Sequence, residues 1–342
     1  MNFISDNAYG AAPQILAALA QANAGTDASY GEDAITARVT ARMCDIFERE
    51  VAVFPVITGT AANALSLATV SPPYGAIFCH AQSHIALDEC AAPEFFSGGA
   101  KLVGLKGGGA KITAAAVETA LVEYRGGVHS PKPSAISITQ ATERGTVYRP
   151  DEIARLSELA RREGMALHMD GARFANALVH LGCTPAEITW KAGVDVLSFG
   201  ATKNGALCAE AVVFFTPALS GDFEYRRKRA GHLMSKMRFI SAQLDAYLAE
   251  DRWLRQARRA NVLAQRMADG LRQIAHAKLA ETVQANAVFV HLPDALVARL
   301  RQAGAQFYEW GAPKDGRTLV RLVLSFLTPE EDVSRFLKLA RA

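Results

Sequence analysis

Short apolar runs alternate with longer stretches of helical period over roughly the first two thirds of the chain. The runs at 51–56, 76–79, 101–105, 135–139, 165–169, 194–199 and 211–215 have the length of strands. Between them, residues 150–162 read as a helix: Pro150 stands at its first position, Asp151 and Glu152 follow, and Gly164 stops it. Thr113 is an N-cap for a helix over 114–124. Strands alternating with helices predict a mostly parallel seven-stranded sheet with helices on both faces.

Past about residue 220 the pattern changes. Residues 226–272 read as helical and rich in Arg, Ala and Leu, with Gly231 the main interruption. Strand candidates at 287–292 and 319–325 follow, around a helix-like 293–303. Thr328-Pro329-Glu330-Glu331 opens a last helix with acids in its first turn. The expected organisation is a large α/β domain over 1–245 and a smaller C-terminal α+β domain over 246–342.

Composition narrows the function classes. Of 342 residues, 50% are hydrophobic and 21% charged, and the net charge is +3, as in an ordinary soluble enzyme. No dense basic block is interleaved with aromatics, so nucleic acid is not an expected partner. The arginines of 252–272 read as the solvated face of a helix, with anion binding as the alternative. No apolar stretch has membrane-spanning length, and no signal-like segment opens the chain. Cys44, Cys79, Cys90, Cys183 and Cys208 are scattered without a Cys-x-x-Cys pair, which predicts reduced thiols and a cytoplasmic location. No zinc-ligand spacing occurs, so no metal is expected.

The candidate chemistry centres on Lys203, in the turn 200–205 after an apolar run. Another run ends in Asp170-Gly171-Ala172-Arg173, and 33 residues separate Asp170 from Lys203. That is about one strand–helix–strand unit, so both side chains emerge at neighbouring strand ends. The pair suits pyridoxal phosphate chemistry: the lysine forms a Schiff base and the acid keeps the pyridine nitrogen protonated. A surface lysine and an Asp170–Arg173 ion pair are the plain alternatives.

Three further segments fit or fail that chemistry. Gly59 and Thr60 lie where a strand gives way to a helix, whose free N–H groups could hold a phosphate or simply be capped. His84 follows another strand and could stack on an aromatic cofactor or move protons; a structural hydrogen bond is the alternative, and the expected role for His80 and His168. Arg321 interrupts an apolar strand, so it needs an anion, either a substrate carboxylate or a structural acid. The glycine-rich 104–109 lacks the Gly-Lys-Ser/Thr of a nucleotide phosphate loop.

Taken together, Phe3-Ile4-Ser5-Asp6-Asn7, Tyr30-Gly31-Glu32-Asp33, Gly59-Thr60, Ser83-His84, Asp170-Gly171-Ala172-Arg173, 198–203, Arg227-Lys228-Arg229-Ala230-Gly231 and Arg321 resemble the low-specificity L-threonine aldolase family. The resemblance implies the aspartate-aminotransferase-like fold of type I pyridoxal phosphate enzymes. It implies retro-aldol cleavage of β-hydroxy-α-amino acids to glycine and an aldehyde. It gives Lys203 the cofactor linkage, Asp170 the ring nitrogen, Gly59 and Thr60 the phosphate, and His84 the ring face and the substrate hydroxyl. Ser5, Arg173 and Arg321 would hold the substrate carboxylate, with Arg173 also beside the cofactor. Lys228 would reach the phosphate in a neighbouring subunit of a homotetramer built from dimers. One departure stands out: relatives carry Asn-Thr-His where this chain has Gln140-Ala141-Thr142-Glu143, so a second histidine is missing and Thr142 or a water is expected in its place. A β-eliminating lyase or aminotransferase on the same fold, or an inactive binding protein, are the rival functions.

Overall fold

The computed structural model describes residues 1–341. The seven apolar runs form one sheet: β1 (Ala52–Val56), β2 (Gly75–His80), β3 (Lys101–Leu105), β4 (Lys132–Thr139), β5 (Ala166–Gly171), β6 (Val196–Gly200) and β7 (Glu210–Phe214). Their order is β1-β7-β6-β5-β4-β2-β3. The five strands from β3 to β6 run parallel, and β7 lies antiparallel to both its neighbours. β6 is buried at every position and β5 at all but its first, because helices cover both faces. A second, antiparallel sheet has the order β10-β11-β9-β8, from β8 (Lys278–Leu279), β9 (Ala287–Pro293), β10 (Tyr308–Glu309) and β11 (Arg317–Val323). It has its own core, built from residues such as Val290, Leu322 and Phe336, which Phe3 joins from the N-terminus.

The helix Gly59–Val70 follows β1 and is buried from Ala61 to Ala68. Small residues around its whole circumference let it sit deep against the sheet. Its N-terminus is thereby fixed beside the carboxyl ends of the central strands.

The helical stretch expected over 226–272, with its main interruption at Gly231, is three helices: Phe223–Arg229, Arg238–Leu248 and Arg252–Arg272. Gly231 turns the chain at φ +76. The second break falls at Glu250 and Asp251, both left-handed (φ 56 and 53), and carries no glycine signal. It puts Trp253 into the core at 2% exposure, against Phe174 and Phe199. Burying that indole outweighs the cost of two left-handed residues. Arg252 and Arg255 donate to the carbonyls of Ala246 and Glu250 at the break. Along the last helix, Arg259 and Arg266 pair with Glu330, so its polar face is a solvated ion-pair surface.

At their carboxyl ends β5 and β6 leave no room for a Cβ at Gly171 or Gly200. Asp170 lies opposite Ser198, and Gly171 opposite Phe199. A Cβ on Gly200 would fall 2.7 Å from both Cα and the carbonyl oxygen of Ala172. One on Gly171 would fall 2.8 Å from the Ser198 carbonyl. These obstacles are backbone and cannot swing aside. Gly200→Ala should therefore cost about 1–3 kcal/mol, read as a lower urea midpoint. An unchanged midpoint would show that the two strands part freely.

Candidate active site

Asp170 is the penultimate residue of β5 and is buried at 4% exposure. Its Oδ1 accepts the Ala172 N–H at 2.9 Å, and its Oδ2 accepts Asn63 Nδ2 at 2.8 Å. Two residues earlier, the His168 ring is clamped between Ser137 Oγ (2.9 Å) and Ser198 Oγ (3.0 Å) on the flanking strands. Burial pushes its pKa down to about 4, so it is a neutral structural histidine, as expected. His80 is structural too, bound to the Gly107 carbonyl and the Gln82 N–H.

Lys203 sits in the one-turn helix Thr202–Asn204 just past β6. Asn204 anchors that turn by donating to Tyr247 Oη and the Trp253 carbonyl, both at 2.8 Å. Gly205 at φ +116 closes it. Glu210, on the neighbouring β7, accepts the Ala201 N–H at 2.8 Å, and burial pushes its pKa up to about 7. Lys203 is half-buried, and its ammonium has no hydrogen-bond partner among the described residues.

At the opposite side, Thr58 caps the helix Gly59–Val70 by accepting the Ala61 N–H at 3.1 Å. The N–H groups of Gly59 and Thr60 have no partner among the described residues. A Cβ on Gly59 would meet nothing within 4 Å, so an anion can approach its backbone closely.

His84 opens the short helix His84–Leu87 after β2. Its Nδ1 donates to Glu89 Oε1 at 2.7 Å, since a carboxylate can only accept. That hydrogen bond raises the His84 pKa and leaves Nε2 without a protein partner. Burial pushes Glu89 up as well, against the pull of His84 and Asn63. Of the segment 140–143, Glu143 is the residue that reaches His84. Its Oε1 accepts the His84 N–H at 2.9 Å and Thr139 Oγ1 at 2.8 Å, and burial raises its pKa to about 7. Thr142 does not fill that place: its hydroxyl donates to the Gly109 carbonyl at 2.8 Å and ties down a turn.

Gly59, Thr60, His84, Asp170 and Lys203 all line one cavity of about 520 Å³. Ser5, Arg173, Arg321 and Lys228 are not on its wall. The first three form an adjoining layer. The Arg173 guanidinium grips Asp6 with two bonds of 2.8 and 3.0 Å, so its fork is spent on an internal acid. Burial favours a raised Asp6 pKa, but Arg173 and Lys203 hold it below the ordinary value. The Ser5 hydroxyl caps its own turn by accepting the Asn7 N–H at 3.1 Å. Arg321 has no acid partner among the described residues. It touches the Ile4 carbonyl at 3.4 Å, lies over the rings of Tyr308 and Trp310, and keeps a buried, unpaired Nε. Burial and repulsion from Arg173 push its pKa down to about 10. Lys228 is exposed, with Nζ 4.6 Å from the Tyr30 ring centre.

Three cavity groups, Asn63, Glu89 and Glu210, escaped the sequence, as did Glu143 behind His84. Asn63 stands one helical turn after Gly59, and Glu89 five residues after His84, which are the only local signals they carry.

This sheet order, with a lysine and an acid at adjacent strand ends above a helix N-terminus, is the architecture of fold type I pyridoxal phosphate enzymes. A family model described as beta-eliminating lyase matches residues 2–295, and the chain belongs to that family. It is 45% identical to a low-specificity L-threonine aldolase of a Pseudomonas species, over 90% of this chain and 88% of that protein. With the Pseudomonas aeruginosa protein of the same description it shares 44% identity over 99% and 96% of the two chains. Its structure superposes on a threonine aldolase of Leishmania major with a TM-score of 0.94, at 28% identity over 99% and 98% of the chains. A serine palmitoyltransferase of Sphingomonas wittichii shares the fold alone, with a TM-score of 0.71 at 19% identity over 100% of this chain and 86% of that one.

His168 makes the site's scaffold sensitive to acid. Its folded pKa of about 4 lies below the unfolded value of about 6.5, so the unfolded chain binds the proton more readily. Its contribution is complete above pH 6.5 and is lost as the pH falls to about 4, roughly 3 kcal/mol in all. His168→Gln should therefore lose less stability over that window than the wild type, in urea unfolding at several pH values. Parallel acid limbs would contradict this.

Proposed function

We propose that the protein cleaves L-threonine, L-allo-threonine and related β-hydroxy-α-amino acids to glycine and an aldehyde, with pyridoxal 5'-phosphate as cofactor. The observation that carries this reading is the convergence of Lys203, Asp170 and His84 on one cavity, in a chain 44–45% identical to L-threonine aldolases.

The residues fit the cofactor. Lys203 offers an unpaired amine, Asp170 a carboxylate for the ring nitrogen, and Gly59 and Thr60 free N–H groups and open space for the phosphate. When bound, pyridoxal phosphate supplies a protonated ring that accepts the electron pair of the breaking Cα–Cβ bond. Arg321, which lacks an acid partner, binds the substrate carboxylate and so orients the Cα–Cβ bond, while Arg173, held by Asp6, and Ser5 back it from the adjoining layer. His84 Nε2 takes the β-hydroxyl proton. Glu89 on Nδ1 holds the ring in the tautomer that leaves Nε2 free, and makes it the stronger base. Glu143 accepts the His84 backbone N–H and so holds the start of the helix that presents it.

The same reading includes a homotetramer, a dimer of dimers in which Lys228 reaches a neighbouring subunit's phosphate. Its exposure, outside its own cavity, supports this. It also includes the division into domains 1–245 and 246–342, and a cytoplasmic location, which the five free thiols support.

The test is incubation with L-threonine, L-allo-threonine and phenylserine. Glycine with acetaldehyde or benzaldehyde is the expected outcome. Ammonia with 2-oxobutanoate, and no aldehyde, would instead establish elimination. No turnover despite bound cofactor would establish a binding protein.

A further inference from the structure

One helical turn past the open end of the helix Gly59–Val70, a single amide touches two acids. Asn63 Nδ2 donates to Asp170 Oδ2 at 2.8 Å and to Glu89 Oε1 at 2.9 Å. The same Glu89 oxygen accepts His84 Nδ1. Asn63, Glu89 and Asp170 are 2%, 4% and 4% exposed, so water does little to separate the two carboxylates. An –NH2 group has two hydrogens, and both are used. The orientation of the amide is fixed by its partners, because two acceptors require the nitrogen between them. The remaining atoms, Asn63 Oδ1 and Glu89 Oε2, are buried without partners among the described residues. Burying two orphaned acceptors is costly, so the arrangement serves the donor side of the amide rather than stability.

We propose that Asn63 is a positioning residue that holds Glu89 and Asp170 side by side on one amide, shares their charge between its two hydrogens, and so sets the titration of the His84–Glu89 pair. It links the acid at the ring nitrogen to the base at the substrate hydroxyl. The inference rests on the roles given above to His84 and Asp170. His84 is faced by Glu89 from its own segment, Asp170 from β5, Lys203 from the turn after β6, and Glu143 from the loop after β4.

The sign follows from charge. Without the Asn63 hydrogens, the two carboxylates lose a shared donor and repel each other more strongly. Their proton affinity rises, and a coupled pair titrates as a unit. In the full-length chain, Asn63→Ala should raise the apparent pKa read at the His84 ring by about half a unit to one unit. The measurement is NMR of histidine-labelled protein without added pyridoxal phosphate, with His84→Gln assigning the resonance. Asn63→Leu, which keeps the volume, should show the same rise if the alanine variant folds poorly. A purely packing role for Asn63 would leave the titration where it is, and an unchanged or lowered value in both variants overturns the inference. Aldehyde release by the wild type separates the two claims. Its presence with an unmoved titration sinks the role of Asn63 alone. Its absence sinks the aldolase reading and leaves the titration result standing.

Discussion

The site depends on how closely β5 and β6 approach at their carboxyl ends. Backbone contact at Gly171 and Gly200 leaves no room for a Cβ, and it fixes Asp170 relative to the turn that carries Lys203. Parallel strands deliver both residues to the same edge of the sheet, where an α/β fold leaves a crevice. The buried helix Gly59–Val70 then brings its free N–H groups to the same crevice. Acid, amine and free N–H groups come from three separate segments, and their mutual distances are set by strand spacing.

Four acids surround the cavity or the histidine beside it: Asp170, Glu89, Glu143 and Glu210. Grouping carboxylates in a poorly solvated space is unfavourable unless donors meet them. Here each acid has at least one, among them the Ala172 N–H, Asn63, the His84 N–H and the Ala201 N–H. Two of these donors are the backbone of the very turns that present the functional side chains. The electrostatics and the positioning of the site are therefore the same set of contacts. Arg321 is the counterpart, a half-buried cation with aromatic neighbours and no acid, which suits it to a carboxylate brought by a ligand.

Much of this was legible in the sequence, for a physical reason. The seven strands, the helix Pro150–Arg162 and the turn around Lys203 are set by local periodicity and by glycine or proline at fixed offsets. Asp170, Lys203, Gly59 and His84 each follow an apolar run, so their place at strand ends could be inferred. Asn63, Glu89 and Glu210 could not, because their meaning arises only when distant segments meet. The break at Glu250 and Asp251 was hidden similarly: what drives it is the core that receives Trp253. Of the two substitutes expected beside His84, Thr142 or a water, Thr142 is drawn to the Gly109 carbonyl instead, while Glu143 turns inward.

The central claim is that Lys203 bonds to pyridoxal phosphate in front of Asp170. Borohydride reduction of the purified protein with pyridoxal phosphate, followed by peptide mass mapping, tests it directly. The account predicts a single reduced adduct, on the peptide containing Lys203. An adduct on another lysine, or none, would contradict it.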